Sequence, residues 1–432
     1  MHEQHLEVAS PRDFPKVDYE AWRQRVLAEL DGASLESLQR FDPTGLGRSV
    51  LCVDRPGGAP IGRRAGRGWL RVMAADADLD LEAARSGGAQ AFEVEVGDLS
   101  AVPVAHDPDL LVEGHADLEA LGERRPLVGG LDVLGTLARD GSLACQAEEG
   151  LSTAVGLLGQ GGGHRPIRVD LGPAHRAGGH AVQELAYMLG TLAEHLRVGA
   201  DPARLAAGTA LAFDVGRDVI EGVAKLRAAR VLWARLFGAS GLDACSRPWI
   251  HVTTSSRTLE VAEPLTNVLR ATTQVFAAAV GGADSVRVLA HDGAAGSRSA
   301  LGDRLALNLQ NILAEESHLD RTADAAGGSF LIEHRTDALS RAAWECFVEL
   351  ERSGGYLEAL RRGRIQASLA ESWEAWCSRV RAGEAHVLGV TLHPGDTVPS
   401  GEDVATASER PHQVEPLPTR RDGQAAEGGE PR

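Results

Sequence analysis

Trp249-Ile250-His251-Val252-Thr253-Thr254-Ser255, a helical stretch from Asn267 to Val280, then Ser285-Val286-Arg287-Val288-Leu289 and a second helical stretch from Leu301 to Ser317 decide the fold of this chain. The two short runs are rich in β-branched residues and read as strands. The longer stretches carry apolar residues at helical spacing. The same alternation extends upstream. Pro166-Ile167-Arg168-Val169-Asp170-Leu171 reads as a strand, and a helix from His180 to Val198 lines up Val182, Leu185, Leu189, Leu192 and Leu196 on one face. A further helix runs from Val219 to Leu236. Serial β/α units point to a barrel or a doubly wound parallel sheet. No glycine-rich dinucleotide turn follows any of the strands, which favours the barrel.

Outside this region the pattern is less regular. A helix is expected over residues 17–39, with Trp22, Val26, Leu27 and Leu30 on one face, and strands at Trp69-Leu70-Arg71-Val72 and Ala91-Phe92-Glu93-Val94-Glu95-Val96. The cluster Gly159-Gln160-Gly161-Gly162-Gly163 lacks the Lys-Ser/Thr pair of a phosphate loop and precedes a strand, so it reads as a loop. Two helices follow the alternating region: Asp337 to Arg352, with Leu339, Ala343, Cys346 and Leu350 inward and Gly354-Gly355 as the stop, and Leu357 to Val380. Beyond Pro394 large apolar residues are scarce, and a disordered tail is expected. The division is then an amino-terminal extension over 1–60, an α/β barrel over 61–394, and the tail over 395–432.

Composition removes several function classes. The chain has 432 residues and a formal net charge of −17, which argues against nucleic-acid binding. No apolar run reaches the roughly 20 residues of a membrane helix, and the amino terminus has no signal-peptide core. Cys52, Cys145, Cys245, Cys346 and Cys377 are scattered and form no close pair, as in a cytoplasmic protein with reduced thiols. Lys16 and Lys225 are the only lysines, so Schiff-base chemistry has two poor candidates.

The helix Glu221-Gly222-Val223-Ala224-Lys225-Leu226-Arg227-Ala228-Ala229-Arg230-Val231-Leu232-Trp233-Ala234 resembles a characteristic helix of the methylmalonyl-CoA mutase family. The resemblance extends through Gly179 to Tyr187, Asn267 to Thr272, Gly281 to Ser285, Asn308 to Leu319 and Asp324 to Phe330. It implies an adenosylcobalamin-dependent isomerase of acyl-CoA thioesters, built on a TIM-type (β/α)8 barrel whose axis takes the pantetheine arm, with residues 1–60 as a subunit-contact segment. The family's separate cobalamin domain carries an Asp-x-His-x-x-Gly loop. The nearest string here, His175-Arg176-Ala177-Gly178, has Pro173 where the Asp belongs, so cobalamin is expected on a partner chain and none on this one.

Departures from the catalytic pattern refine the resemblance. A family Tyr is replaced by Val72 or Met73, the Gly-Tyr-His string by Gly172-Pro173-Ala174-His175, and His-Ser-Gln-Thr-Ser-Gly by His251-Val252-Thr253-Thr254-Ser255-Ser256. His-x-Ala-Gly and Glu-Glu-Ser-His-Leu strings are typical of the small subunit of the heterodimeric enzyme. The implied role is a small subunit in propionate metabolism that supports a catalytic large subunit and is inactive alone. Two alternatives are a substrate barrel of a split mutase with a separate cobalamin-binding subunit, and a degenerate scaffold.

No catalytic residue and no metal site are assigned. His175, His251, Thr253 and Ser255 are the candidate substrate-binding residues, either as remnants of an acyl-CoA channel or as interior polar filler. His251, Thr253 and Ser255 share one strand face by the two-residue period. His164, His175 and His180 have no metal-pair spacing. Glu315 and Glu316 are expected to serve helix or interface bonding. Lys225, Arg227, Arg230 and Arg235 could meet CoA phosphates; the simpler expectation pairs Glu221 with Lys225 on the surface and binds Arg227 and Arg230 to neighbouring elements or a partner. Association is expected through Glu221–Ala234 or Asn308–Leu319.

Overall fold

The computed structural model describes residues 18–42, 44–53, 68–75, 79–95, 110–113, 128–159, 165–242, 246–296, 298–394 and 412–427. Eight parallel strands close into a barrel, numbered here β1 (Leu70–Ala74), β2 (Ala91–Glu95), β3 (Leu110–Glu113), β4 (Val128–Leu131), β5 (Arg165–Asp170), β6 (Thr209–Val215), β7 (Trp249–Thr254) and β8 (Ser285–Arg287). Each strand pairs with its neighbours in sequence, and β8 closes on β1 through Ser285 opposite Leu70. This is the (β/α)8 architecture expected from the alternating pattern.

The outward faces of the strands and the inward faces of the helices make the main core. Ile167, Val169, Leu211, Phe213, Ile250 and Val252 alternate along β5, β6 and β7 and are fully or almost fully buried. They meet Leu185, Leu189 and Leu192 of the helix Ala181–Arg197 and Leu226, Leu232 and Trp233 of the helix Val219–Ala239. The helix Phe330–Arg352 packs outside these two, so Val219–Ala239 is covered on both sides. Among the described residues no helix is long and apolar enough to cross a membrane.

Several expected elements differ in detail. The helix over 17–39 is two pieces, Tyr19–Glu29 and a short 3-10 turn Leu35–Leu38, separated by Asp31 and Gly32 at positive φ. Gly363 at positive φ likewise divides 357–380 into Tyr356–Arg361 and Arg364–Arg381. The last turn of 301–317 widens into a π-helix over Ile312–Glu316, after the helix Ala300–Asn311. Cys346 and Leu350, expected inward, are half-buried.

The larger correction concerns the carboxy-terminal tail. Residues 412–427 form a strap packed on the body: Val414, Leu417 and Ala425 are buried, and so are Arg420 and Asp422. Backbone N–H groups of Val414, Leu417 and Arg420 donate to the carbonyls of Gly141, Ala138 and Arg176. The low apolar content behind the expected disorder is offset here by ladder-like backbone bonds and buried ion pairs, which composition does not register. Residues 395–411, like 1–17, 43 and 54–60 of the expected extension over 1–60, lie outside the described residues.

Candidate functional site

The strands carry two polar clusters, one on the barrel axis and one at the carboxy-terminal rim. On the axis, Glu93 of β2 accepts from Nη1 of Arg168 of β5 at 2.6 Å and from Nη1 of Arg287 of β8 at 3.3 Å. The second oxygen of Glu93 also lies 3.4 Å from Nε2 of His251 of β7. β2 and β5 are not neighbours in the barrel, so this bond crosses its interior. His251 Nδ1 bonds the Ser285 hydroxyl at 2.9 Å, and Thr253 Oγ1 lies 3.3 Å from His251 Nε2. Glu93, Arg168 and His251 are no more than 2% exposed. Toward the amino-terminal end an apolar layer of Val72, Ala91 and Ala210, with Leu70 and Trp249 packed on it, fills the interior.

Burial alone pushes the Glu93 carboxyl up, but His251 and Arg168, with Arg287, outweigh it and hold Glu93 well below the ordinary carboxylate range. The axis therefore contains a charged, hydrogen-bonded plug. An acyl-CoA arm running along it would have to displace an ion-pair network in which Glu93, Arg168 and His251 are buried.

The rim cluster is built from three elements. His175 lies on the short helix Gly172–Arg176 after β5, Glu184 on Ala181–Arg197, and Ser255 directly after β7. His175 Nδ1 meets Glu184 at 2.9 Å and His175 Nε2 meets the Ser255 hydroxyl at 2.8 Å. Lys225 donates to the other Glu184 oxygen at 2.5 Å and to the Asp214 carbonyl at 2.7 Å. Burial raises the Glu184 carboxyl, yet Lys225 and then His175 bring it down to about 2. The connectivity is that of a Ser-His-acid triad. Ser255 is, however, 0% exposed and its amide is fixed by Gln274, so no acyl group can reach its hydroxyl in this arrangement. Both ring nitrogens of His175 are engaged, and the cluster ties the ends of β6 and β7 to the helices Gly172–Arg176, Ala181–Arg197 and Val219–Ala239.

Gly178 and Gly179 make this packing possible. Gly178 has a φ of +107°, and a Cβ there would meet the Trp373 Cβ at 2.7 Å; one on Gly179 would meet the Ala174 carbonyl oxygen at 2.6 Å. The glycines let the helix Arg364–Arg381 close over the rim. The strap completes the cover: Asp422 pairs with Arg257 at 3.0 Å and Arg217 at 2.9 Å, and the Gly423 amide donates to Glu260.

The structure thus brings His251 and Thr253 together on the axis, while His175 and Ser255 meet in the separate rim cluster. The expected Glu221–Lys225 surface pair is a correction. Lys225 is buried and turned to Glu184, and Glu221 accepts from Arg335, because the whole helix face is covered. Arg227 reaches Asp324 and Glu333, and Arg230 binds the carbonyls of Gly281 and Gly282, so both are bound to neighbouring elements. Burial of Glu221–Ala234 inside the fold also removes most of it as an association face. Glu315 bonds Arg71.

Glu93, Arg168, Arg287 and Glu184 were not singled out by sequence. The available signal was a charged residue between apolar neighbours in a strand, two residues from another inward position, as Glu93 stands between Phe92 and Val94 and two residues from Ala91.

Among the described residues no group of His, Cys, Asp and Glu is placed to hold a metal ion. His164 lies outside the described residues, and His180 caps its own helix, with burial lowering its imidazole to about 4. Cobalamin does not fit the nearest candidate string either: a lower cobalt ligand needs a free imidazole nitrogen, and His175 has none.

Residues 162–428 match the family described as methylmalonyl-CoA mutase. Among curated proteins, the chain is 38% identical over 274 residues to the methylmalonyl-CoA mutase small subunit of Streptomyces virginiae, covering 62% of this chain and 42% of that one. It is 32% identical over 250 residues to the small subunit of Porphyromonas gingivalis, covering 56% and 40%. It is 31% identical over 227 residues to the methylmalonyl-CoA mutase of Escherichia coli K12, covering 51% and 32%. The matches thus span less than half the length of these relatives. With more than half of the chain matched, it belongs to the methylmalonyl-CoA mutase family.

Proposed function

We propose that this chain is the small, non-catalytic subunit of an adenosylcobalamin-dependent methylmalonyl-CoA mutase, an isomerase that interconverts methylmalonyl-CoA and succinyl-CoA as a complex. The larger subunit binds both the cofactor and the acyl-CoA. Bound there, the cofactor supplies the radical that starts the rearrangement, and this chain supports its partner through a barrel-on-barrel contact in the cytoplasm. The observation that carries the reading is the plug of Glu93, Arg168, Arg287 and His251 on the barrel axis. Similarity to relatives named small subunits supports it.

The candidate substrate-binding residues His175, His251, Thr253 and Ser255 are accordingly interior structural groups. The test is reconstitution with the large subunit of the same organism. Mutase turnover depends on this chain being present, and His175→Ala or His251→Ala leaves turnover per assembled complex nearly unchanged. Loss of turnover in an intact complex carrying either variant refutes the non-catalytic role and favours a substrate barrel.

A further inference from the structure

The strap crosses the carboxy-terminal rim between two apolar anchors. Val414 and Leu417 are buried before the crossing, and Ala425 after it packs with Trp373 and Cys377. The crossing itself, Arg420-Arg421-Asp422-Gly423, contributes no apolar side chain. Backbone N–H groups of Arg420 and Asp422 donate to the carbonyls of Arg176 and Arg257 and guide it. Its buried carboxylate does the rest. Asp422 Oδ1 accepts from Nε and Nη2 of Arg257 at 3.1 and 3.0 Å, and Oδ2 lies 2.9 Å from Nη2 of Arg217.

These two arginines are also held by groups outside the strap. Arg217 follows β6, and its Nη1 donates to the His386 carbonyl at 3.2 Å while the guanidinium lies 4.8 Å from the Trp376 ring centre. Arg257 sits in the turn Ser256–Thr258 after β7, and its Nη1 donates to the carbonyls of His175 and Gly179, both at 3.1 Å. The donors aimed at Asp422 are therefore Nη2 of one arginine and Nε and Nη2 of the other. Guanidiniums fixed by other partners and converging on the two oxygens of one group make a preorganised oxyanion site.

The present occupant sits there against an opposing interaction. Burial raises the Asp422 carboxyl, but Arg257 and then Arg217 outweigh it and lower it. The same crossing sets Asp422 beside Glu260, which accepts from the Gly423 amide at 2.9 Å. Burial, and then Asp422, push Glu260 up to about 7. Arg270 supplies a further positive charge within reach of Asp422 and Glu260. A free anion would reach the same donors without the strap that brings Asp422 against Glu260.

We propose that Arg217 and Arg257 form an oxyanion-binding site on the carboxy-terminal rim, that Asp422 is its internal ligand, and that a free phosphate or carboxylate group competes with Asp422 and lifts the strap. Arg257 joins Asp422 to the His175 carbonyl, so lifting the strap opens the rim at His175. The inference is independent of the small-subunit reading above.

The experiment follows tryptic cleavage of the full chain after Arg420 and Arg421, normalised to a free peptide, at constant pH. Inorganic phosphate and acetate are the probes, and chloride at equal ionic strength is the control for screening. Asp422→Asn, with its fold verified by thermal unfolding, is expected to be cut about tenfold faster or more and to bind phosphate or acetate in calorimetry. In the parent chain, that anion at about twice the dissociation constant so measured should raise cleavage about threefold, because it binds only the open strap. Arg217→Gln should be cut faster without added anion and should lose the response. The probe that acts distinguishes a phosphate from a carboxylate ligand. A folded Asp422→Asn that is as resistant as the parent, or that is cut faster yet binds neither anion, overturns the proposal. So does a parent chain on which phosphate and acetate act no differently from chloride, a comparison that decides the matter even where Asp422→Asn fails to fold.

Discussion

Replacing Glu93 with Gln keeps the shape of the axial plug and removes its only carboxylate in contact with all three basic side chains. In the native barrel that carboxylate compensates Arg168 at 2.6 Å, Arg287 at 3.3 Å and His251 at 3.4 Å, with Arg168 and His251 almost wholly out of water. Gln can still accept one hydrogen bond, yet it removes the carboxylate nearest to both guanidinium groups, with Asp170 remaining 3.7 Å from Arg168. Removing one partner of a buried pair costs about 3–5 kcal/mol, because the remaining charge stays desolvated. An exposed pair costs at most about 1 kcal/mol. The two values separate a dry, plugged axis from a water-filled channel. Urea unfolding of Glu93→Gln, with an unchanged slope, should show a loss near 3 kcal/mol or more. A loss below about 1 kcal/mol would mean that water reaches Glu93, and the plugged-axis argument would fail.

Three further outcomes follow from the rim. Lys225→Met should cost about 3–5 kcal/mol and raise the pH at which acid unfolding begins; the folded Glu184 carboxyl at about 2 lies below its ordinary 4.5, so its contribution is present above 4.5 and lost as pH falls toward 2, and circular dichroism against pH reads the shift. Glu260 behaves with the opposite sign. Burial, and then the nearby Asp422, raise it from 4.5 to about 7, so its contribution to holding the strap is lost as pH rises through 7. Tryptic cleavage after Arg420 and Arg421, normalised to a free peptide, should therefore increase from pH 6 to pH 8 and stay flat in Glu260→Gln. Gly178→Ala should lower stability by roughly 1–3 kcal/mol in thermal melts, since it combines a positive φ with a clash against Trp373; an unchanged melting temperature would show that the rim can relax.

Much of the barrel was legible because its strands are short and β-branched and its helices keep a long apolar period. β5 and β7 end within a residue of the expected limits, and Ala181–Arg197 does too. Helix breaks at Gly32 and Gly363 were legible in principle, since both glycines are at positive φ. What local pattern could not show was pairing across the chain. The Glu221–Lys225 spacing suggests a surface pair only if that face meets water, and burial sends Lys225 to Glu184 instead. His175 and Ser255 are eighty residues apart and meet only when the barrel closes. The strap has few apolar side chains, and its Asp422 is held by arginines more than 160 residues away.

The central claim is that this barrel supports a catalytic partner and takes no acyl-CoA itself. Equilibrium binding of a non-reacting acyl-CoA analogue to the reconstituted two-subunit complex, counted by calorimetry against known subunit concentrations, tests it most directly. One analogue per pair of subunits, with none bound by the isolated chain, is the predicted result. Two per pair, with the second site lost in Arg168→Trp or another variant that widens the axial plug, would place substrate in this barrel and contradict the account.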